Sequence, residues 1–321
     1  MPFLENVLRG RNVPRERMLE VAQHYQHFGG VSPINAQNRQ LLAALEKELA
    51  EHGPQLPVYW GNRNWHPLLP DTLQQMACDG VRNALAFFTS AYSSYSGCRQ
   101  YREDIERAQA QVGTRAPQVN KLRVFFNHPG FIEPMVESVA SCLEQFPEHR
   151  RKNTALLFSA HSVPRSMSDN CSYTAQLEEA CRLVAAGAGH HRWELVYQSR
   201  SGPPQQPWLE PDICQRLKEL HGEEELLDVV VLPIGFTSDH MEVLFDIDTE
   251  VSQLCAELGM TMHRAPTVGT HPRFVRMIRE LITERLSDNP ERLALGELGP
   301  GRDVCPADCC LYTPTRPAPT N

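Results

Sequence analysis

The chain has 321 residues, 41% of them hydrophobic and 22% charged, and a formal net charge of −8. That length allows two domains of ordinary size, each burying its own core without disulfides, and the acidic balance excludes nucleic acid as the main partner, because phosphate binding needs a basic surface. No apolar run reaches the roughly 20 residues of a membrane helix, and the opening MPFLENVLRGRN lacks the apolar centre of a signal peptide, so a cytoplasmic location is expected.

In chain order, short apolar runs fall at 56–61 (LPVYWG), 84–91 (ALAFFTSA), 121–126 (KLRVFF), 154–161 (TALLFSAH), 193–199 (WELVYQS) and 226–236 (LLDVVVLPIGF). Continuous apolarity over so few residues predicts parallel strands covered by helices on both faces. Between them, TLQQMACDGVRNA, TAQLEEACRLVAAGAG and DICQRLKELHGEE have helical spacing, the first two with a glycine near the expected C-terminal end. The alternation predicts a doubly wound α/β fold in two lobes alike in design, an N-terminal lobe over 1–127 and a C-terminal lobe over 128–298. The remainder, 299–321, is rich in proline, loses periodicity and reads as a Cys-containing tail, disordered unless its cysteines hold something. Cys78, Cys98, Cys142, Cys171, Cys181, Cys214 and Cys255 are scattered singly, as buried thiols are, whereas Cys305, Cys309 and Cys310 cluster.

In open α/β sheets, ligands bind beyond the carboxyl ends of the strands. Two such places carry unusual residues. After VVVLPIGF comes TSDHMEVLFDIDTEV, which predicts a loop and a helix capped by Thr237, Ser238 or Asp239. On an α-helix Glu242, Asp246 and Glu250 fall at i, i+4 and i+8 and form one row beside His240, with Val243, Leu244, Ile247 and Val251 turned to the core. Like charges four apart destabilise a helix by about 0.3 kcal/mol per pair unless cations accompany them; a solvated acidic face gives the same pattern. The second place is LLFSAHSVPRSM, where His161 ends a strand and Pro164 turns the chain. Such a histidine is either structural or, set opposite the carboxylate row, a proton acceptor facing a cation path.

FSAHSVP, YQSRSGPPQQPWLEPD and LPIGFTSDHMEVLFDID, in this order and at these separations, resemble the ferrochelatases, which insert ferrous iron into a porphyrin. The likeness takes in HFGGVSPINAQN and YWGNRNWHP in the first half. It implies a metal-inserting lyase of haem biosynthesis with two Rossmann-like chelatase lobes, each a four-stranded parallel sheet flanked by helices, and the porphyrin held between them. It also implies roles. His161 accepts protons from the pyrrole nitrogens, Glu242 faces it across the macrocycle, and Asp246 and Glu250 are the outer positions of a path for a hydrated divalent metal. Exchangeable hard oxygens suit such a cation. Arg9 and Arg11 in LRGR and Ser32 in GGVSP match the region that holds porphyrin propionates, for which arginine forks and hydroxyls are suited.

GNRNW and QSRSGPPQQPWLEPD look more like bacterial enzymes acting on coproporphyrin III than like those acting on protoporphyrin IX. The resemblance then implies ferrous iron as substrate, coproheme as product and a downstream coproheme-processing enzyme as a partner. Protoporphyrin IX as substrate, a non-catalytic porphyrin or haem carrier, a cobalt or nickel chelatase and a redox sensor built on the tail stay open. Family members begin with a strand and a glycine-containing loop upstream of PFLENVLRGR, so the first strand of the N-terminal lobe is expected to be missing. Many bind a [2Fe-2S] cluster through C-terminal cysteines and one internal cysteine. The resemblance thus implies a cluster on Cys305, Cys309 and Cys310, with Cys142 as fourth ligand and Cys171 in reserve, pinning the tail rather than taking part in insertion. Zinc or free thiols would suit the same spacing.

Overall fold

The structure is a computed structural model that describes residues 29–30, 32–202, 205–224 and 226–312. Arg9 and Arg11 lie outside the described residues. Strand β1 (Asn83–Ala86) pairs in parallel with β2 (Gln118–Lys121). A second sheet holds β3 (Ala155–His161), β4 (Trp193–Gln198), β5 (Asp228–Leu232) and β6 (Thr261–Arg264) in the order β4-β3-β5-β6, every pair parallel. The helices are α1 (Ile34–His52), α2 (Leu69–Cys78), α3 (Gln100–Val112), α4 (Pro129–Glu144), α5 (Tyr173–Gly187), α6 (Ile213–Glu224), α7 (Ser252–Glu257) and α8 (Pro272–Leu286).

The four-stranded sheet is buried on both faces, as parallel strands require. Leu156, Phe158 and Ala160 of β3 and Val230 and Leu232 of β5 point to one side, where Phe131, Met135 and Val139 of α4 and Leu177, Cys181 and Val184 of α5 cover them. Ala155, Leu157, Val229 and Val231 point the other way, onto Leu217 and Leu220 of α6 and onto Ile247, Val251 and Cys255. The first cluster runs on without a break into Tyr92, Phe125 and Leu49 of the N-terminal half, and the Tyr92 hydroxyl donates to the Ile234 carbonyl at 2.9 Å. The two sheets therefore share one core.

The N-terminal sheet has two strands among the described residues, not four. Residues 56–61 form no ladder; Pro57 has no N–H to donate, and nearby Asn62 makes only an isolated bridge with Leu68. In KLRVFF the strand ends at Lys121, and Leu122, Val124, Phe125 and Phe126 are buried as irregular chain. A cavity of about 800 Å³ in this half is lined largely by apolar side chains such as Leu41, Leu45, Leu73 and Ile278, and none of the predicted site residues among those described lines it.

Candidate active site

Parallel strands end on the same edge of their sheet, and the register pairs His161 with Gln198, the last residues of β3 and β4. Residues 155–160 of β3 are buried, so His161 is the first to emerge. Its Nδ1 lies 2.5 Å from the Ser162 carbonyl, which can only accept, so Nδ1 carries the hydrogen, and in the neutral ring Nε2 is the acceptor. The Tyr173 hydroxyl, at the start of α5, donates to the His161 carbonyl at 3.0 Å and fixes the backbone beneath the ring.

The chain leaving β5 crosses β3 closely. A Cβ at Gly235 would stand 2.8 Å from both Cα and Cβ of Ala160, and the Gly235 N–H donates to the Ser159 carbonyl at 3.1 Å. Only glycine permits this approach, which brings the next segment to His161. That segment is not the predicted α-helix. Val243–Val251 is wound as a π-helix running directly into α7, and the Ser252 N–H reaches Ile247, five residues back. Val243, Ile247 and Val251, four apart, are buried in line, while Glu242 and Glu250 are exposed and Asp246 is half-buried. The wider winding keeps the row the sequence predicts. The expected side-chain cap is absent: Glu242 occupies the cap position without a side-chain bond, and His240 Nδ1 accepts from the Glu242 N–H at 3.2 Å.

Glu242 Oε2 lies 4.0 Å from His161 Nε2. A flat macrocycle needs about 3.5 Å to the atoms on each of its faces, so it does not fit between these two side chains as placed. As placed, His161 and Glu242 form one group at the end of the sheet. Asp246 sits deeper. Burial pushes its carboxyl up to about 6, helped by the negative charges of Glu242 and Glu250 and opposed by hydrogen bonds from Ser199 and Gln198. Burial also raises Glu250, with Asp212 adding to the effect, and lowers His240, with His161 nearby adding to the effect while Glu242 and Asp239 oppose it. Asp239 and Asp248 do not belong to the row. Arg264 binds both, through Nη1 to Asp239 at 3.0 Å and through Nε and Nη2 to the Asp248 carboxylate at 2.8 and 3.1 Å.

Ser32 lies just before α1, its Oγ accepting from the Ile34 N–H at 3.3 Å. The start of α1 reaches the site loop, because Gln37 Nε2 donates to the Asp239 carbonyl at 2.9 Å. Sequence reasoning passed over Gln198 and Ser199. Both donate to Asp246 Oδ2, and Ser199 has φ of 61°, unusual for a non-glycine residue.

The tail is docked, and its cysteine partner is not Cys142. Cys142 is 5% exposed, packed into the apolar core under α4. Cys98, on the π-turn Tyr95–Arg99, lies beside Cys305: its thiol is the main cause holding Cys305 down to about 5, against burial and with Lys121, Cys309 and Arg102 adding. Cys309 and Cys310 have their sulfurs 3.5 Å apart; burial raises Cys171, with Cys309 adding to the effect, and pushes Cys310 up to about 12, with Cys309 and Cys171 adding. Arg99 Nη1 donates to the carbonyls of Ala307 and Cys309 at 2.6 and 3.1 Å. The signal for Cys98 is the glycine before it: a Cβ at Gly97 would stand 2.5 Å from Ser90 Oγ, so SGCR marks a tight turn that presents Cys98. Among the described residues no three His, Cys, Asp or Glu side chains converge on one metal-ion position.

A ferrochelatase family model matches residues 1–286. A ferrochelatase of Rhodopirellula baltica is 61% identical over 317 residues, covering 99% of this chain and 90% of that protein. A coproporphyrin III ferrochelatase of Streptomyces griseus is 50% identical over 340 residues, covering 99% and 90%. Among solved structures, SirB from Bacillus subtilis with Fe3+ superposes with a TM-score of 0.52 at 16% identity, over 78% of this chain and 92% of that one, a likeness of fold alone. Extended matches at half to three-fifths identity, on a chain whose β3, β4 and β5 ends bring His161, Gln198 and the acidic π-helix together, leave one assignment: the chain belongs to the ferrochelatase family and is an enzyme that inserts iron into a porphyrin.

Proposed function

We propose that the chain inserts ferrous iron into coproporphyrin III, with His161 as the pyrrole proton acceptor and Glu242, Asp246 and Glu250 as the path of the hydrated metal. The observation that carries the reading is the His161 ring. With Nδ1–H committed to the Ser162 carbonyl, Nε2 is the free acceptor, and it points toward Glu242 at 4.0 Å. Metallation of a porphyrin releases two N–H protons, so a single base must clear its first proton. Glu242 is placed to take it from His161 and, being exposed, to pass it to solvent. The π-helix carries Asp246 and Glu250 onward along the chain from Glu242, oxygen ligands that exchange readily with a hydration shell. Coproporphyrin III is favoured because the Streptomyces griseus relative, matched over 99% of this chain, bears that substrate in its name. Arg9, Arg11 and Ser32 are the candidates for its propionates.

Cys98, Cys305, Cys309 and Cys310 are the candidates to hold a [2Fe-2S] cluster, which takes four thiolates; Cys305 is held toward the thiolate form, while Cys310 is pushed away from it and would have to give up its proton to bind the cluster. Such a cluster would fasten the tail; no step of insertion needs it. No helix among the described residues is long and apolar enough to cross a membrane.

The test is anaerobic insertion of ferrous iron into coproporphyrin III and protoporphyrin IX, followed by porphyrin absorbance, with His161→Ala beside wild type. Faster consumption of coproporphyrin III is expected, and a loss of at least about 10²-fold on removing the base, with porphyrin binding retained. Tight binding without turnover would make the chain a carrier. Equal rates for His161→Ala and wild type would remove His161 from the chemistry.

A further inference from the structure

We propose that Gln198 is the neutral member of the metal path: its Nε2 fixes Asp246, and its Oε1 accepts hydrogen bonds from the water shell of a hydrated divalent cation. This rests on the reading of Asp246 and Glu250 as that path.

Gln198 closes β4 opposite His161 and is 2% exposed. Its Nε2 donates to the Glu242 carbonyl at 3.2 Å and to Asp246 Oδ2 at 3.1 Å, so both N–H groups are engaged. Its Oε1 is buried and accepts nothing. Turning the amide over would set Oε1 against a carbonyl and a carboxylate, acceptors facing an acceptor, so the orientation is dictated by the partners. A buried amide oxygen without a donor is costly and uncommon. It is retained where a donor visits, and a metal-bound water is a strong one.

The surroundings specify which visitor. Ser199 Oγ donates to the same Asp246 oxygen, Oδ2, so the positioning bonds occupy one side of that carboxylate and neither engages Oδ1. Asp246 Oδ1 takes part in neither bond, and Gln198 Oε1 is the other oxygen that the arrangement leaves without a donor among the described residues. Hard oxygens suit hydrated divalent cations and hold them without trapping them. An uncharged oxygen adds a contact to a row that already carries three carboxylates without adding to their mutual repulsion.

The experiment measures insertion with ferrous iron varied at saturating porphyrin and then the reverse, for wild type, Gln198→Met, Gln198→Glu and Glu250→Gln. It is paired with equilibrium binding of Co(II) alone to the porphyrin-free protein. Gln198→Met keeps the length and packing and should raise the KM for iron about tenfold, with kcat and the porphyrin KM within about twofold. Gln198→Glu keeps an acceptor oxygen but sets a carboxylate against the Glu242 carbonyl and Asp246, so it should not restore the iron KM. A structural role would raise both KM values together; that result overturns the proposal, as does an unchanged iron KM in Gln198→Met. If Glu250→Gln raises the iron KM and Gln198→Met does not, this inference alone falls. If neither does, the metal path falls and takes it along.

Discussion

Asp246 is a carboxylic acid that the fold keeps partly neutral. Its carboxyl stands at about 6 against an ordinary 3.8, chiefly because burial penalises the charge. A folded value above the unfolded one means that the native state binds the proton more tightly. The stability this contributes is full below the ordinary value and is lost as pH rises through about 6. Asp246→Asn removes the titration while keeping the shape. Compared by urea unfolding at about pH 5 and about pH 7, the variant should gain on wild type by about 1 kcal/mol at the higher pH, less whatever solvent screening removes. Parallel pH profiles would show that Asp246 ionises in the native state as it does in the unfolded chain. The carboxylates and His161 were legible in the sequence because their spacing and place after apolar runs set them apart. Gln198 was not, since its amide has two partners, the Glu242 carbonyl and Asp246, that only the fold brings to the end of β4.

The π-helix lies between two constraints, the buried line Val243, Ile247, Val251 and the clasp of Arg264 on Asp239 and Asp248. The clasp ties the loop before the helix to its middle, from the last residue of β6. Arg264→Met should cost about 2 to 3 kcal/mol in urea unfolding, because it strands two half-buried carboxylates. It should also slow insertion by loosening the row. Arg264→Lys should recover only part of either, since a point charge cannot bind Asp248 with a fork; full recovery of both would show that charge alone suffices. The elements themselves divide by burial. β3 and β5 were readable as strands because central parallel strands are apolar throughout, and β4, an edge strand, because WELVYQ still carries Trp, Leu, Val and Tyr. β6 was not, because Thr261–Arg264 is an edge strand with half-exposed, partly polar side chains. KLRVFF misled in the other direction: Phe125 and Phe126 are apolar because they fill the shared core as irregular chain. Apolarity reports burial, and only its length and flanks report conformation.

Over the whole molecule, the tail joins the halves rather than trailing from one of them. Arg123, buried against Glu284 of α8, also holds the Leu293 carbonyl, and Arg292 reaches Glu284, Asp303 and the Gly301 carbonyl. Lys121 of β2 donates to the Arg302 carbonyl at 2.7 Å, which delivers the cysteines to the turn bearing Cys98. The sequence identified the three tail cysteines but not their partner, because Cys98 and Cys142 are alike as scattered thiols and only the docking separates them. That likeness makes a clean comparison. Cys98 and Cys142 are 3% and 5% exposed, so replacing either by serine buries a hydroxyl at similar cost to stability. On protein purified without oxygen, Cys98→Ser should lose the visible absorbance, bound iron and acid-labile sulfide of a [2Fe-2S] cluster, whereas Cys142→Ser should keep all three. If a cluster fastens the tail, its proteolysis should quicken only in Cys98→Ser. The reverse pattern would return the fourth ligand to Cys142. A wild-type protein without sulfide would leave the tail to contacts such as those of Arg99, Lys121 and Arg292, and its proteolysis would then be the same in both variants.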